Sequence, residues 1–166
     1  AIAPTASISI ICGGASPGVE PVAANSYAHK TLSGSYNVRN RYLKKILEKH
    51  GKNNDEIWST ITTNQGSVNH LDFLTDHEKM VFKTAFEIDQ KWIIDLGADR
   101  TPYVSQAQSI NIFLPADVHK KELHQIHFQA WKKGLKSLYY CRSKSIQRAE
   151  NVNKGLSTNV TKKESN

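Results

Sequence analysis

The sequence predicts an α/β domain that is part of an open sheet or a barrel, because segments with helical periodicity alternate with short, isolated strands. Its length of 166 residues suits one domain with a substantial core. Hydrophobic residues make up 39% and charged residues 22%, which is ordinary globular composition. That composition excludes collagen-like, coiled-coil and wholly disordered chains.

The first 40 residues predict little regular structure. Residues 6–12 are apolar and β-branched and are followed by a Gly pair, which predicts a buried strand or a short helix. Residues 13–21 are rich in Gly and Pro and therefore predict a loop. Further on, the tripeptide at 36–38 is a possible strand.

Two helices are then predicted from their ends. The first follows Asn40, whose side chain is well suited to cap a helix, and it ends at Gly51. The second runs from about 55 to 63, where Asp55 and Glu56 suit the positive amino-terminal end of a helix.

A third, longer helix is predicted to begin at a capping box formed by Thr75 and Glu78. Apolar residues follow at helical spacing, and Asp89 is the one polar residue on that face. The pattern predicts that the helix ends at Gly97.

The rest of the chain predicts strands at 109–114 and 137–142, with a fourth helix between them that Asp117 caps. Residues 150–166 contain no aromatic side chain and predict a flexible, disordered tail. We therefore expect one ordered domain over 1–149.

Charge is concentrated at the carboxyl end. The net charge is +7, and residues 119–166 hold 11 Lys or Arg against 3 Asp or Glu. This excess favours an anionic partner such as nucleic acid, a nucleotide or an acidic protein surface. A solvated helix face followed by a soluble tail is the alternative.

Cys12 and Cys141 do not make a disulfide scaffold or a Cys-x-x-Cys pair, so we expect inert, buried thiols in a reducing, cytoplasmic compartment. The longest apolar run, at 8–12, is too short to span a membrane. Ala1 opens directly on an apolar stretch, as if the chain were cut from a longer one.

Three histidines near the carboxyl end are the only candidate metal ligands. His124 and His127 share a helix face close to His119, but no cysteine or carboxylate cluster completes a tetrahedral site. We therefore expect packed or surface histidines and no metal.

The segment from Pro4 to Ser7 offers the hydroxyls of Thr5 and Ser7 together with consecutive backbone N–H groups. A turn of this kind that leads into an ordered element can hold a phosphate. An ordinary helix cap or turn is the alternative.

Tyr139 and Tyr140 are adjacent in the last predicted strand. Neighbouring residues of a strand point to opposite faces, so one ring should be buried and the other exposed. The pair is either an ordinary aromatic pair or a redox relay, since a phenol can be oxidised when its proton leaves with the electron.

Five segments occur in one order, at 3–7, 19–27, 30–34, 105–113 and 131–140. They read AlaProThrAlaSer, ValGluPro with AlaAlaAsnSerTyr, LysThrLeuSerGly, SerGlnAlaGlnSerIleAsnIlePhe and TrpLysLysGlyLeuLysSerLeuTyrTyr. Together they make the chain resemble the C-terminal part of the large, catalytic subunit of class I ribonucleotide reductase, over roughly residues 1–149.

The resemblance implies the last portion of a ten-stranded α/β barrel and the reduction of ribonucleoside diphosphates to 2′-deoxyribonucleoside diphosphates. It implies that the substrate diphosphate is bound by Pro4, Thr5, Ala6, Ser7 and Ile8. It also implies that Tyr139 and Tyr140 are the stacked pair of a radical relay.

The resemblance further implies partners. These are the remainder of the large subunit and a small subunit, which carries the metal-radical centre and whose often acidic C-terminal tail would dock on the helix at 119–135. ATP/dATP-type allosteric effectors would bind the missing part of the large subunit, with no cofactor in this chain. Neither a membrane nor nucleic acid is expected as a partner.

Some of the family's chemistry has no counterpart in the sequence. No Asn-x-Cys-x-Glu loop is present, and residues 142–166 contain no cysteine pair. The chain by itself should therefore be inactive. A basic nucleic-acid-binding module and an inactive structural fragment are the alternative functions.

Overall fold

The computed structural model describes residues 1–13, 16–32 and 34–144. These residues fall into two compact units. Pro4–Asp89 is named the N-terminal unit, and Ala1–Ala3 together with the residues from Gln90 onward is named the C-terminal unit. The tail predicted at 150–166 lies outside the described residues.

The N-terminal unit combines a β-hairpin with four helices. In chain order its elements are α1 (Ala6–Ile11), β1 (Ser26–Thr31), β2 (Gly34–Arg39), α2 (Arg41–Lys49), α3 (Asp55–Thr63) and α4 (Asp76–Val81). The strands are antiparallel, and Ser26 pairs with Arg39 at the open end of the hairpin. The possible strand at 36–38 is confirmed within β2, whereas β1 was not predicted.

Helix α1 decides between the two structures predicted for residues 6–12. The segment is a short helix, as the second alternative predicted, and Ile8 and Ile11 are exposed to 60% and 83%.

Helices α2 and α3 have the bounds that their caps predict. The Asn40 side chain accepts hydrogen bonds from the N–H groups of Tyr42 and Leu43 at 3.0 and 3.3 Å. Asn54 caps α3 in the same way by accepting from Ile57 at 2.9 Å. Asparagine satisfies N–H groups that the first helical turn leaves without partners.

The core of the N-terminal unit is one cluster of buried side chains. Its members are Leu43, Leu47, Trp58, Ile61, Val68, Leu71, Leu74 and Phe82. Trp58 Nε1 donates to Asn53 Oδ1 at 2.8 Å, so the polar atom of this large buried side chain is satisfied.

A buried amide ties the hairpin to the helices. Asn25 Nδ2 donates to the carbonyls of Gly66 and Phe82 at 3.0 and 2.7 Å. Asn25 Oδ1 accepts from Asn40 Nδ2 at 2.8 Å. These bonds join segments that are far apart in the sequence and leave no buried polar atom of the amide unpaired.

The single helix predicted from Thr75 to Gly97 is wrong, since α4 and α5 (Gln90–Arg100) are separate helices. The capping box of Thr75 and Glu78 is confirmed. Residues 82–89 are not helical. The N–H of Ala85 donates to the distant carbonyl of Val22 at 2.9 Å and not to the carbonyl four residues before it. Thr84 donates through both its N–H and its hydroxyl to Glu87 Oε2, each at 2.8 Å.

The C-terminal unit is a helix pair with a short parallel sheet. Its elements are α5, a 3₁₀ turn (Thr101–Tyr103), β3 (Ile112–Leu114), α6 (Lys120–Lys132) and β4 (Cys141–Ser143). Strands β3 and β4 are parallel, and Phe113 faces Arg142 in the register. Both strands are shorter than the predicted 109–114 and 137–142.

Two further predictions for the C-terminal unit are wrong. Helix α6 is capped by His119 instead of Asp117, because His119 Nδ1 accepts from the N–H of Lys121 at 3.1 Å. Gly97 lies inside α5. A Cβ atom at Gly97 would lie 2.7 Å from Ile110 Cδ1, so the glycine permits close packing and does not end the helix.

Helix α5 packs on both α6 and β3. Asp95 of α5 accepts from Lys133 Nζ at 2.8 Å and from Gln129 Nε2 at 3.1 Å. The hydrogen bond from Lys133 lowers the pKa of Asp95 below its usual value. Gln90, also in α5, is buried and accepts from the N–H of Phe113 at 2.8 Å, which fixes the helix against β3.

Candidate functional site

Tyr139 and Tyr140 form a contacting pair immediately before β4. Their ring centroids lie 4.1 Å apart with an interplanar angle of 56°. The expectation of one buried and one exposed ring is wrong, because the rings are exposed to 46% and 54%. The alternation of a regular strand begins only with Cys141, so the two tyrosines are not held to opposite faces.

The backbone of the pair is nevertheless anchored to a buried segment. The N–H of Tyr139 donates to the carbonyl of Ile110 at 2.8 Å, and the N–H of Ile112 donates to the carbonyl of Tyr140 at 2.9 Å. Ile110 and Ile112 are both fully buried. The rings therefore reach the surface from a backbone that the core holds in place.

A hydrogen bond between the two phenols raises the pKa of Tyr139 above its usual value. It has this effect because the bond stabilises the protonated phenol. The two phenols thus affect each other's protonation as well as being in ring contact.

Arg142 is a third residue beside the tyrosine pair, and the sequence analysis did not identify it. Its guanidinium carbon lies 5.5 Å from the centroid of the Tyr140 ring. Its positive charge lowers the pKa of Tyr139, against the effect of the phenol hydrogen bond. No pattern in the sequence marked Arg142, because Tyr140 precedes β4 and the alternation of the strand does not relate the two residues.

The second predicted site lies in the N-terminal unit, at the start of α1. Thr5 is the residue that precedes the helix, and its hydroxyl makes no capping hydrogen bond. The N–H of Thr5 donates to the carbonyl of Pro17 at 3.2 Å. The N–H of Thr5 is therefore engaged within the chain and is not one of the donors that a ligand could use.

The next three N–H groups, of Ala6, Ser7 and Ile8, belong to the first turn of α1. They donate to no acceptor within the part of the chain that the structure describes. Pro4 and Ser7 are exposed. The segment thus presents three N–H groups and the hydroxyl of Ser7, which is a set of donors suited to an anion.

Helix α6 carries a row of aromatic side chains. The rings of His124 and Phe128 lie 6.0 Å apart, and those of Phe128 and Trp131 lie 5.6 Å apart. Trp131 is 72% exposed. Lys132 lies in the last turn of the same helix and adds positive charge at its end, whereas the next residue, Lys133, is paired with Asp95. We call the side chains of His124, Phe128 and Trp131 the α6 aromatic row.

The remaining candidate residues do not form a site. Over the described ranges, no three His, Cys, Asp or Glu side chains group so that they could hold a metal ion. His127 Nδ1 donates to the carbonyl of Leu123 at 2.8 Å, with the proton placed on that nitrogen. Cys12 and Cys141 are free and exposed, so the expectation of buried thiols is wrong.

Among the described residues, no helix is long and apolar enough to cross a membrane.

Comparison with known proteins accounts for most of the chain. A family model described as "Ribonucleotide reductase, barrel domain" matches residues 1–141. The ribonucleoside-diphosphate reductase large subunit of Invertebrate iridescent virus 6 is 54% identical over 156 residues, which cover 92% of this chain and 16% of that protein. The corresponding large subunit of Caenorhabditis elegans is 37% identical over 142 residues, which cover 85% of this chain and 18% of the relative.

A solved structure is similar in fold and in sequence. The alpha subunit of the Actinobacillus ureae class Id ribonucleotide reductase superposes with a TM-score of 0.78 at 44% identity, over 87% of this chain and 26% of that chain. The present chain therefore spans only about a sixth to a quarter of the length of these relatives.

Proposed function

Because the chain belongs to the ribonucleotide reductase barrel-domain family, we propose that it forms part of a large subunit that reduces ribonucleoside diphosphates to 2′-deoxyribonucleoside diphosphates. The names of its relatives support this reaction. The observation that carries the proposal is the contact of Tyr139 with Tyr140, anchored to the buried segment that leads into β3. An ordinary surface pair of tyrosines needs neither a shared hydrogen bond nor a fixed backbone.

In this proposal, Tyr139 and Tyr140 conduct a radical. The metal-radical centre of a partner small subunit supplies the oxidising equivalent. Tyr140 receives it first and passes it to Tyr139, from which it reaches a cysteine outside this chain. The hydrogen bond between the phenols is the path of the proton, since a phenol is readily oxidised only when its proton leaves with the electron. This chain contributes orientation and conduction.

The segment Pro4, Thr5, Ala6, Ser7 and Ile8 binds the diphosphate of the substrate. The N–H groups of Ala6, Ser7 and Ile8 and the hydroxyls of Thr5 and Ser7 donate to phosphate oxygens, and Pro4 restricts the backbone that precedes them. The role of these residues is to position the substrate, which lowers the entropic part of the barrier without taking part in the chemistry.

Strands β3 and β4 with α6 between them form a parallel β-α-β crossover, the unit from which α/β barrels are built. We assign these strands to the ten-stranded barrel of the family. The remaining strands and the binding sites for ATP/dATP-type effectors belong to the rest of the large subunit. The α6 aromatic row, with Lys132 in the last turn of the same helix, is the surface on which an acidic small-subunit tail docks, which accounts for the basic carboxyl end without nucleic acid.

The test is nucleotide reduction by the assembled large subunit in which Tyr139→Phe or Tyr140→Phe has been introduced. Phenylalanine keeps the ring and most of the packing but is far too hard to oxidise, so turnover should fall to a small residual rate in each variant. Affinities for the substrate and for the small subunit should stay near normal. Tyr103→Phe is the matched control, because Tyr103 is 89% exposed and lies in the 3₁₀ turn of the same unit. Substantial turnover in either Tyr139→Phe or Tyr140→Phe would remove that residue from the relay.

A further inference from the structure

We propose that Arg142 is a positioning residue of the tyrosine pair, which holds the Tyr140 ring in place and favours the radical on Tyr139 over Tyr140. This inference rests on the proposed relay. It gives the relay a direction, because the forward transfer runs from Tyr140 to Tyr139.

The position of Arg142 is determined by the parallel sheet. Arg142 is the central residue of β4 and faces Phe113 of β3. On either side of it, Ile112 donates to the carbonyl of Tyr140 at 2.9 Å, and Lys144 donates to the carbonyl of Leu114 at 3.3 Å. The backbone that carries the guanidinium is thus held at both ends.

The guanidinium of Arg142 lies on the ring of Tyr140. Its carbon atom is 5.5 Å from the Tyr140 centroid, within the range of a cation–π interaction. The ring of Tyr139 also contacts that of Tyr140, at a centroid distance of 4.1 Å. Tyr140 therefore has a cation and a second phenol as neighbours, and its ring is restricted by both.

A cation is attracted by the electron density on the face of an aromatic ring. Oxidation to a phenoxyl radical removes part of that density, so the attraction is weaker in the radical than in the phenol. Arg142 thereby makes Tyr140 harder to oxidise than it would be alone. At an exposed site, an interaction of this kind changes an equilibrium by about two- to fivefold.

The transfer that Arg142 favours is balanced within the pair. The Tyr139 O–H bond breaks, and its electron and proton pass to the phenoxyl oxygen of Tyr140, where a new O–H bond forms. Tyr139 is oxidised and Tyr140 is reduced, with no further reactant. The first phenoxyl on Tyr140 is the one that the small subunit supplies in the proposed function.

The N-terminal unit contains a matched control. The Arg41 guanidinium carbon lies 5.1 Å from the ring centroid of Tyr42, and Arg41 Nη2 donates to Tyr42 Oη at 3.3 Å. This is the same type of pair without a second tyrosine stacked on it in the described part of the chain.

The experiment places 3-fluorotyrosine at 139 or at 140 in the assembled large subunit and compares the parent with Arg142→Gln, Arg142→Lys and Arg41→Gln. In Arg142→Gln, the fluorine NMR chemical shift of a label at 140 should move toward that of free fluorotyrosine. The phenol of a label at 139 should lose its proton at a higher pH than in the parent. The radical, located by the fluorine hyperfine splitting in electron paramagnetic resonance, should shift toward 140 by at most about fivefold, because only part of the cation–π interaction is lost on oxidation. In Arg142→Lys, the titration of the label at 139 should return closer to that of the parent than the fluorine chemical shift of the label at 140 does. Lysine keeps the positive charge but lacks the planar guanidinium that lies on the ring.

Arg41→Gln should leave both labelled positions unchanged. The inference is overturned when Arg142→Gln leaves the signal at 140, the titration at 139 and the radical distribution as in the parent. A failure of the proposed relay gives a different result, namely turnover that survives Tyr139→Phe or Tyr140→Phe, whatever the fluorine signals show. If Arg142→Gln does not fold, Arg142→Lys provides the same test.

Discussion

The two units differ in how far they bury their largest apolar side chains. The N-terminal unit closes a core within itself by means of short, capped helices, and Trp58 is 1% exposed there. The C-terminal unit carries the other two tryptophans, Trp92 and Trp131, and they are 63% and 72% exposed. The same residue type is therefore core in one unit and surface in the other.

The contrast extends to the two predicted sites. The segment at 4–8 in the N-terminal unit, proposed to bind the diphosphate, offers backbone donors from the start of a helix, which suits static binding. The tyrosine pair in the C-terminal unit offers exposed rings beside a three-residue strand, which suits transfer to and from a partner. Exposed aromatic rings on a folded unit are typical of surfaces that bind other proteins.

The largest difference between the units should appear in stability. Leu47→Ala removes a fully buried side chain from the N-terminal core and should lower the free energy of unfolding by about 2–5 kcal/mol. Trp131→Ala is the control in the C-terminal unit and should change it by less than about 0.5 kcal/mol, since exposed substitutions cost little. Chemical denaturation followed by circular dichroism measures both. Equal losses would contradict the difference in burial between Leu47 and Trp131.

A smaller effect should separate binding from transfer. Ser7→Ala removes a hydroxyl proposed to donate to a charged phosphate, an interaction whose loss costs about 1.5–3 kcal/mol. Substrate affinity in the assembled large subunit should fall roughly ten- to a hundredfold, whereas Tyr139→Phe should leave it unchanged. Equilibrium binding of each of the four nucleoside diphosphates is the measurement, with Ser59→Ala on the exposed part of α3 as the control. Unaltered affinity in the double variant Thr5→Ala/Ser7→Ala would exclude this segment as the diphosphate site.

The smallest effect concerns the cap of α4. The N–H of Thr75, and also His50 Nε2 at 3.1 Å, hold the pKa of Glu78 at about 2. Because this pKa is below that of the unfolded chain, the stabilisation is complete above about pH 4.5 and is lost as pH falls toward 2. Thr75→Ala should lower the free energy of unfolding by about 0.5–2 kcal/mol at neutral pH but keep most of the acid dependence, because alanine retains the backbone N–H. Glu78→Gln removes the titrating carboxyl group and should flatten the acid dependence. Denaturation between pH 2 and 7 tests this, and Thr63→Ala in the last turn of α3 should keep the full acid dependence.

The sequence alone determined the features that depend on near neighbours in the chain. Asn40 and Asn54 precede helices whose first N–H groups they satisfy, and the capping box of Thr75 and Glu78 depends on residues only three apart. Such interactions are local, so periodicity and cap residues are sufficient to predict them. The order of the five motifs likewise pointed to the family that the comparisons show.

The tertiary structure alone decided where local patterns give way to distant partners. The helical pattern of 75–97 continues through residues 82–89, yet the N–H of Ala85 donates to the carbonyl of Val22 at 2.9 Å instead of continuing the helix. Asn25 reaches the carbonyl of Phe82 across 57 positions of the chain. Tyr139 and Tyr140 contact each other in a segment that precedes β4, because that strand begins at Cys141, four residues later than the predicted start at 137. Hydrogen bonds between residues distant in sequence leave no periodic signal, because their geometry is set only when the segments pack together.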